Sequence, residues 1–573
     1  MKKNIKNIIV LMSSIFAMAS CTEVLDKDNL QVFGGDEVWT LESMTSAYLN
    51  DIYATLMPGW SYTGYDSDEG TNSVQNLNDF LRGTATIDSY DNWRYDVVER
   101  INLFLSKIEE TPYSQEKIDH YKGQALFWRA WAYFSMVKNY GGVPLILDVQ
   151  DYKNPDGLFV RRNKTSECFS QIVKDLDDAV SLLPDAFAGS NYGRIDKGIA
   201  LAFKGRVLLT YASPLFNPSS DANLWQTAYN ANKEAKDFLE SKGKGLYGSF
   251  RNIWYDERNK EVVMVNQFYA PEHYSSQAAI RPLFLSKDAF GANQPTLHLV
   301  NAFPMKNGSD FDPSIPLAYD TLFKYRDDRF YATLAYNGCD YITPDFKPGE
   351  KLWTGYTSDG TSLLIVIHHE PGVPGRTGFW QMKALDTSLD KTNVHYGKVD
   401  WIEMRFAEVL MNYGEAANEI GKTSEALQVL YDIRERAGIL PGANSQYGVM
   451  AETKSEIRET YIKERFVEFA FENKRWNDLR RWRRFDILND QGTRKAVQMW
   501  LKPGEQVPLI TDDINNQSVW SRFTPKIIEN IEGTYTFNVQ DKYYFYAIPK
   551  GHLDKNPNLE QNQAWGGTFN PLE

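Results

Sequence analysis

Carboxylates, imidazoles and thiols are the side chains that could carry chemistry in this chain, and their spacing matches few catalytic patterns. His368-His369-Glu370 is the one local cluster of metal-ligand types. Neighbours on a strand point to opposite faces, so this pair is not expected to hold one ion. Asp66, Asp68 and Glu69 make the densest acidic loop, Tyr65-Asp66-Ser67-Asp68-Glu69-Gly70. Such oxygens could bond hydroxyls or a hard cation such as calcium. The full D-x-D-x-D-G loop is missing, however, so a solvated acidic turn is the plainer expectation and no cofactor is predicted. The chain has no G-x-S-x-G elbow, H-E-x-x-H, Walker A run or G-x-G-x-x-G. With 75 Asp and Glu, a surface glycoside hydrolase using loop acids such as Asp66 and Asp68 stays open as an alternative.

Aromatic rings are the other chemical resource: 31 Phe, 15 Trp and 33 Tyr. Flat Tyr and Trp faces beside polar groups could stack on a ligand at small entropy cost, or could simply pack. Two loop zones have that composition. The first holds Trp60, Tyr62, Tyr65, Asp66, Asp68 and Asn78; the second holds Tyr269, His273, Tyr274, Arg281, Trp353, Tyr356 and Trp380. Trp93, Trp128, Trp131, Trp401, Trp476 and Trp482 instead sit at helical core spacing and are assigned to packing. The basic run Lys474 to Arg484 has its apolar members Trp476, Leu479 and Trp482 on one helical face, continuing Ile462, Phe466 and Phe469. Glu468, Glu472 and Asp478 stand a turn away, so structural ion pairs are expected. A formal charge of −13 argues against a nucleic-acid partner.

The elements that must position these groups are mostly helical. Apolar residues recur at three- and four-residue steps in Trp93 to Ile108, Ile118 to Val137, Cys168 to Leu183, Ile199 to Tyr211 and Leu224 to Leu239, and again in Trp401 to Leu440 and Lys454 to Phe485. Thr165 and Ser166 offer N-caps before the Cys168 helix. Small residues beside large aromatics in Ala125 to Tyr140, Ala200 to Tyr211 and Ala407 to Gly421 suggest close-packed helical hairpins of tetratricopeptide type. The expected fold is therefore mainly α: a helical-repeat scaffold over about 41–250 and 400–485. A loop-rich insertion with short strands, among them Glu261 to Val265 and Leu363 to His368, covers about 251–399, and a mixed part covers 486–573. Together 41–573 are expected to form one domain.

The amino-terminal segment says where the protein is sent. Lys2, Lys3 and Lys6 precede the apolar run Ile8 to Ala19, which has the length of a signal peptide rather than a permanent span. Ala17-Met18-Ala19-Ser20-Cys21 resembles a bacterial lipobox, which predicts cleavage of residues 1–20, acylation of Cys21 and a polar tether over 21–40. Cys168 falls at apolar helical spacing and reads as a buried thiol; Cys339 lies in a Gly-Asp turn, and nothing supports a disulfide between them.

Several stretches together resemble the SusD/RagB family of outer-membrane lipoproteins. They are Phe127-Trp128-Arg129-Ala130-Trp131-Ala132-Tyr133-Phe134 running to Tyr140-Gly141-Gly142-Val143-Pro144-Leu145, then Arg405-Phe406-Ala407-Glu408-Val409-Leu410, and Glu464-Arg465 through Glu472 to Trp482. Arg326-Asp327-Asp328-Arg329-Phe330-Tyr331 and the tail Asn556-Pro557-Asn558-Leu559-Glu560-Gln561-Asn562 also fit. The resemblance implies noncatalytic capture of oligosaccharides at the cell exterior. It also implies a SusC-like TonB-dependent transporter as partner, either supplied with ligand or merely capped by this protein, with a peptide ligand as a further alternative.

Overall fold

The helical periods become helices in the computed structural model of the protein, which describes residues 37–60, 64–72, 77–151, 153–154, 157–286, 293–314, 319–362 and 376–573. The leader, Cys21 and the run from Leu363 through His368-His369-Glu370 lie outside these residues. In chain order the first half contains α1 (Glu42–Leu56), α2 (Tyr95–Ile108), α3 (Gln115–Tyr140), α4 (Thr165–Leu182), α5 (Lys197–Ala212) and α6 (Ala222–Ser241). Their ends follow local chemistry. Gly141, at φ +78°, stops α3 in a conformation that glycine adopts at little cost. Asp196 caps α5 by accepting the Ile199 amide at 3.0 Å. Thr165 is not a cap: it is the first helical residue of α4, and its hydroxyl accepts the Gly142 amide and donates to the Pro571 carbonyl.

Successive helices pack as pairs, α3 on α4 and α5 on α6, and further on α7 (Phe406–Glu419) on α8 (Thr423–Arg436), with α6 also against α7. Small residues at the crossings make this possible. A Cβ on Gly414 would lie 1.9 Å from the Tyr461 hydroxyl, and one on Gly205 would lie 2.4 Å from Asn232 Oδ1. Leu49, Ile101, Phe127, Trp128, Leu176, Phe203, Val409 and Leu430 share one continuous core. The scaffold is thus a helical repeat, as expected.

The second half departs from its sequence pattern in two places. Trp401 does not begin a helix. Residues Trp401–Arg405 form strand β2, which pairs antiparallel with β1 (Val262–Asn266), Val262 opposite Arg405 and Asn266 opposite Trp401. The apolar period there is that of a strand buried on both faces, which periodicity alone does not separate from a buried helix. Likewise Lys454 to Phe485 is two helices, α9 (Lys454–Glu468) and α10 (Arg475–Arg481), separated by left-handed backbone at Phe471 and Asn473.

That break lets Glu468 and Glu472 turn toward the insertion. Arg405 Nη1 lies 2.7 Å from Glu261 and 2.6 Å from Glu468, and its Nε lies 2.9 Å from Glu472. Arg329 joins Asp327, Glu464 and Glu468 at 2.7–3.0 Å, and Lys383 meets Glu472. Burial alone would raise the Glu468 carboxyl, but Arg436, Arg405 and Arg329 hold it well below its usual value. Glu468 and Glu472 therefore pair with Arg329 and Lys383 of the insertion and with Arg405 and Arg436 of the scaffold, not with the neighbouring basic run; of the three expected acids only Asp478 pairs within it, to Arg481 at 2.8 Å. After α10, β3 (Ala496–Leu501) and β4 (Phe523–Ile528) form an antiparallel ribbon over a second core that includes Phe303, Phe330, Trp353 and Phe379.

Candidate ligand-binding surface

Exposed aromatic rings gather where the insertion leaves and re-enters the β1–β2 pair. Tyr269 and His273 close a tight antiparallel bridge, with backbone bonds of 2.6 and 2.8 Å in the two directions, around a cis Ala270–Pro271 peptide. Two residues on, Ser275 bridges Gly397 by bonds of 3.0 and 2.9 Å. Glycine is needed there, because a Cβ on Gly397 would lie 2.5 Å from the Ser275 carbonyl oxygen. The bridge brings Tyr274 beside Tyr396, ring centroids 5.1 Å apart and planes tilted by 57°.

These rings face water: Tyr269 is 57% exposed, Tyr274 45% and Tyr396 46%. Behind them the His273 ring stacks on Phe268 at 4.4 Å, with its Nδ1 2.8 Å from the Gln267 carbonyl oxygen. Ser276 Oγ and His395 Nδ1 lie 2.9 Å apart at the foot of the pair. The exposed polar neighbours in sequence are Glu272 and Lys398. Apolar faces edged by hydrogen-bonding groups are what a sugar or a peptide side chain can use.

The first loop zone reaches this surface at one point. The Trp60 indole, half-buried, donates to the Val399 carbonyl at 2.7 Å and meets Trp401 edge-on at 4.9 Å. Asn266 Nδ2 bonds the Pro58 carbonyl at 3.0 Å, and the Phe268 amide bonds Asp400 Oδ1 at 2.8 Å. Burial pushes the Asp400 carboxyl up to about 6. Trp60 is thus a neighbour of the Phe268–His273 hairpin, with one indole edge committed to packing.

Most other candidates are placed in the interior, which corrects their reading as ligand contacts. Trp353 stacks on Phe523 at 6.0 Å in the second core; Trp380 pairs across a two-residue strand with Ala335; Tyr356 bridges Trp500. All three are at most 1% exposed. Arg281 is fully buried and bonds the carbonyls of Leu389 and Asp386 at 2.9 and 2.8 Å. Asp68 is buried and receives two bonds from Arg475 and one from Gln491. Asn78 caps a short helix through the Leu81 amide and bonds Asp66 at 2.9 Å.

The acidic loop is therefore not a solvated turn. Asp68 and Glu69 lie inside, and among the described residues no group of three or more His, Cys, Asp or Glu is arranged to hold a metal ion. Tyr62 lies outside the described residues, and for Tyr65 only the backbone is placed, in the turn Gly64–Asp66. Trp93, assigned to a helix, precedes α2 and stacks on His552 at 5.5 Å. The residue missed from sequence is Tyr396. Its signal was an aromatic within a run of turn formers, Asp390 to Gly397, the same signal that selected Tyr269 and Tyr274.

Comparison with known proteins bears on the whole chain. A family model described as the SusD family matches residues 253–565, and one described as starch-binding, associating with outer membrane, matches residues 25–209. A SusD-like protein of Formosa agariphila is 23% identical, the match covering 92% of this chain and 99% of that one. A solved SusD-like protein of Bacteroides fragilis superposes with a TM-score of 0.74 at 23% identity, covering 94% and 99% of the two chains. A second from the same organism, described as a SusD-like carbohydrate-binding protein, gives 0.70 at 22% identity over 91% and 99%. With its carboxy-terminal half matched by the family model and the fold shared along its length, the chain belongs to the SusD family.

Proposed function

We propose that this protein binds oligosaccharides without catalysis at the outer face of the outer membrane and delivers them to a SusC-like TonB-dependent transporter. The observation that carries the ligand reading is the exposed Tyr274–Tyr396 pair. Flat rings held by backbone bridges are a preformed platform, so little ordering cost falls on binding. The carbohydrate-binding relative and the starch-binding family description support the same class of ligand. Membrane attachment would come from acylated Cys21 after removal of residues 1–20, since no helix of the described residues is long and apolar enough to cross a membrane. Of the two acids a hydrolase reading would use, Asp68 is spent in a buried ion pair with Arg475, while Asp66 accepts a bond from Asn78.

Isothermal titration of the mature chain against a glycan panel tests this, with Tyr274→Ala and Tyr396→Ala as variants. Each is expected to weaken the binding glycan by about 5-fold or more, with an unchanged melting temperature. Turnover of any glycan, or affinity unaltered in both variants, would overturn the reading.

A further inference from the structure

Left-handed backbone suits glycine and asparagine, because in other residues the Cβ crowds a carbonyl oxygen. A bulky residue keeps that conformation only where its surroundings impose it or its side chain is put to use. Among the described residues Arg258, Tyr325, Tyr447, Phe471 and Arg483 do so. Four of these side chains are engaged. Phe471 lies in the second core, the Tyr447 ring stands 6.4 Å from Tyr431, and the guanidinium carbons of Arg258 and Arg483 lie 4.5 and 4.6 Å from the rings of Tyr192 and Tyr544. Tyr325, at φ +59°, is different. It is 71% exposed, more than any other Phe, Tyr or Trp of the described residues, and among those residues its side chain has neither a ring contact nor a hydrogen bond.

The neighbours of Tyr325 impose its backbone without using its ring. Its carbonyl accepts the Lys306 amide at 2.6 Å, and the Lys306 carbonyl accepts the Leu440 amide at 2.8 Å. Arg326, next in the chain, bridges Met305, and its buried guanidinium bonds the carbonyls of Leu322, Val300 and Phe303. Glycine or asparagine at position 325 would meet the same backbone demand at lower cost. The ring itself is therefore what a tyrosine adds. Beside it Lys306 Nζ pairs with Asp328 Oδ1 at 2.6 Å, Asn307 is exposed, and Leu440 is 54% exposed.

An exposed aromatic face with hydrogen-bonding groups at its edge suits a sugar ring. Tyr325 and Leu440 together offer roughly 300 Å² of side-chain surface, well short of the about 800 Å² that each partner contributes to a stable protein interface. We infer that Tyr325 is a second saccharide contact, on which one sugar ring of a bound glycan stacks beside the Lys306–Asp328 pair. The inference rests on the glycan-binding reading and adds a place to it. Tyr325 is held by the Met305–Ser309 turn and the loop after α8, whereas Tyr274 and Tyr396 are held by the Ser275–Gly397 bridge. A glycan long enough to touch both places would gain from the linkage without any new contact.

Affinity electrophoresis of the mature chain tests this, in gels that each carry one soluble polysaccharide: amylopectin, arabinoxylan, galactomannan or pectin. Tyr325→Asn removes the ring and tolerates the left-handed backbone, so its melting temperature should equal or exceed that of wild type. A polysaccharide that retards wild type is expected to bind Tyr325→Asn about 3-fold or more weakly, and Tyr325→Phe as wild type does. Undiminished retardation of Tyr325→Asn would overturn the inference and leave the glycan-binding reading standing. A lower melting temperature in Tyr325→Asn would also overturn it, because the ring would then belong to the fold. Failure of every polysaccharide to retard wild type would instead overturn the glycan-binding reading, and this contact with it.

Discussion

Asp68 and Arg475 lie 407 positions apart in the chain and form a buried two-bond pair, Nε to Oδ1 at 2.9 Å and Nη2 to Oδ2 at 2.8 Å. The pair ties the loop after α1 to the start of α10. Burial would raise the Asp68 carboxyl, but Arg475 and Gln491 more than offset it and hold it below its usual range. Asp68→Asn should cost about 3–5 kcal/mol of stability at pH 7, because it strands a buried guanidinium. A depressed carboxyl stabilises above its unfolded pKa and loses that contribution as pH falls through its folded one. Urea unfolding should therefore show the difference between wild type and variant shrinking in acid.

Glu69, the next residue, is expected to behave oppositely. Burial and the adjacent Asp68 push its carboxyl up to about 8, while its Oε1 accepts the Phe471 amide at 3.1 Å. A raised carboxyl favours the protonated fold, so wild-type stability falls as pH climbs from the unfolded value toward 8. Glu69→Gln keeps an acceptor for Phe471 and cannot ionise. The melting temperature of the variant relative to wild type should rise between pH 5 and pH 9, and level off beyond.

Two aromatic substitutions should separate platform from core. Trp353→Ala is expected to lose about 3–5 kcal/mol in denaturant unfolding, since it empties a site packed against Phe523. Tyr274→Ala should stay within about 0.5 kcal/mol of wild type. A large loss of stability in Tyr274→Ala would mean that its ring belongs to the fold rather than to a ligand.

Thiol chemistry gives a further check. Cys168 and Cys339 are both buried and unpaired, and burial pushes each thiol up to about 12. Iodoacetamide at pH 8 should label neither in the native protein and both in urea, as read by intact mass.

The helical half of the molecule was legible because its signals are local. Three- and four-residue apolar steps located α2 to α6 to within a few residues. Strand β2 was misread because five consecutive buried residues, Trp401 to Arg405, carry no alternation. The loop aromatics were harder still. Trp353 and Tyr274 have the same kind of sequence surroundings, and what separates them is whether β3 and β4 fold over the ring, a contact made with residues more than a hundred positions away. The basic run was read correctly as structural, but its partners came from across the fold: Arg475 takes Asp68 and Arg481 takes Glu415.

The bridges Tyr269–His273 and Ser275–Gly397 are made by main-chain atoms alone. The three tyrosines they display therefore contribute little to holding the loops in place, unlike Trp353 or Arg281. Exchanging those side chains one at a time would leave the backbone bridges and the charged lattice around Arg405 unchanged. Under the proposed function, one inherited frame could thus be refitted for new ligands without passing through an unfolded ancestor.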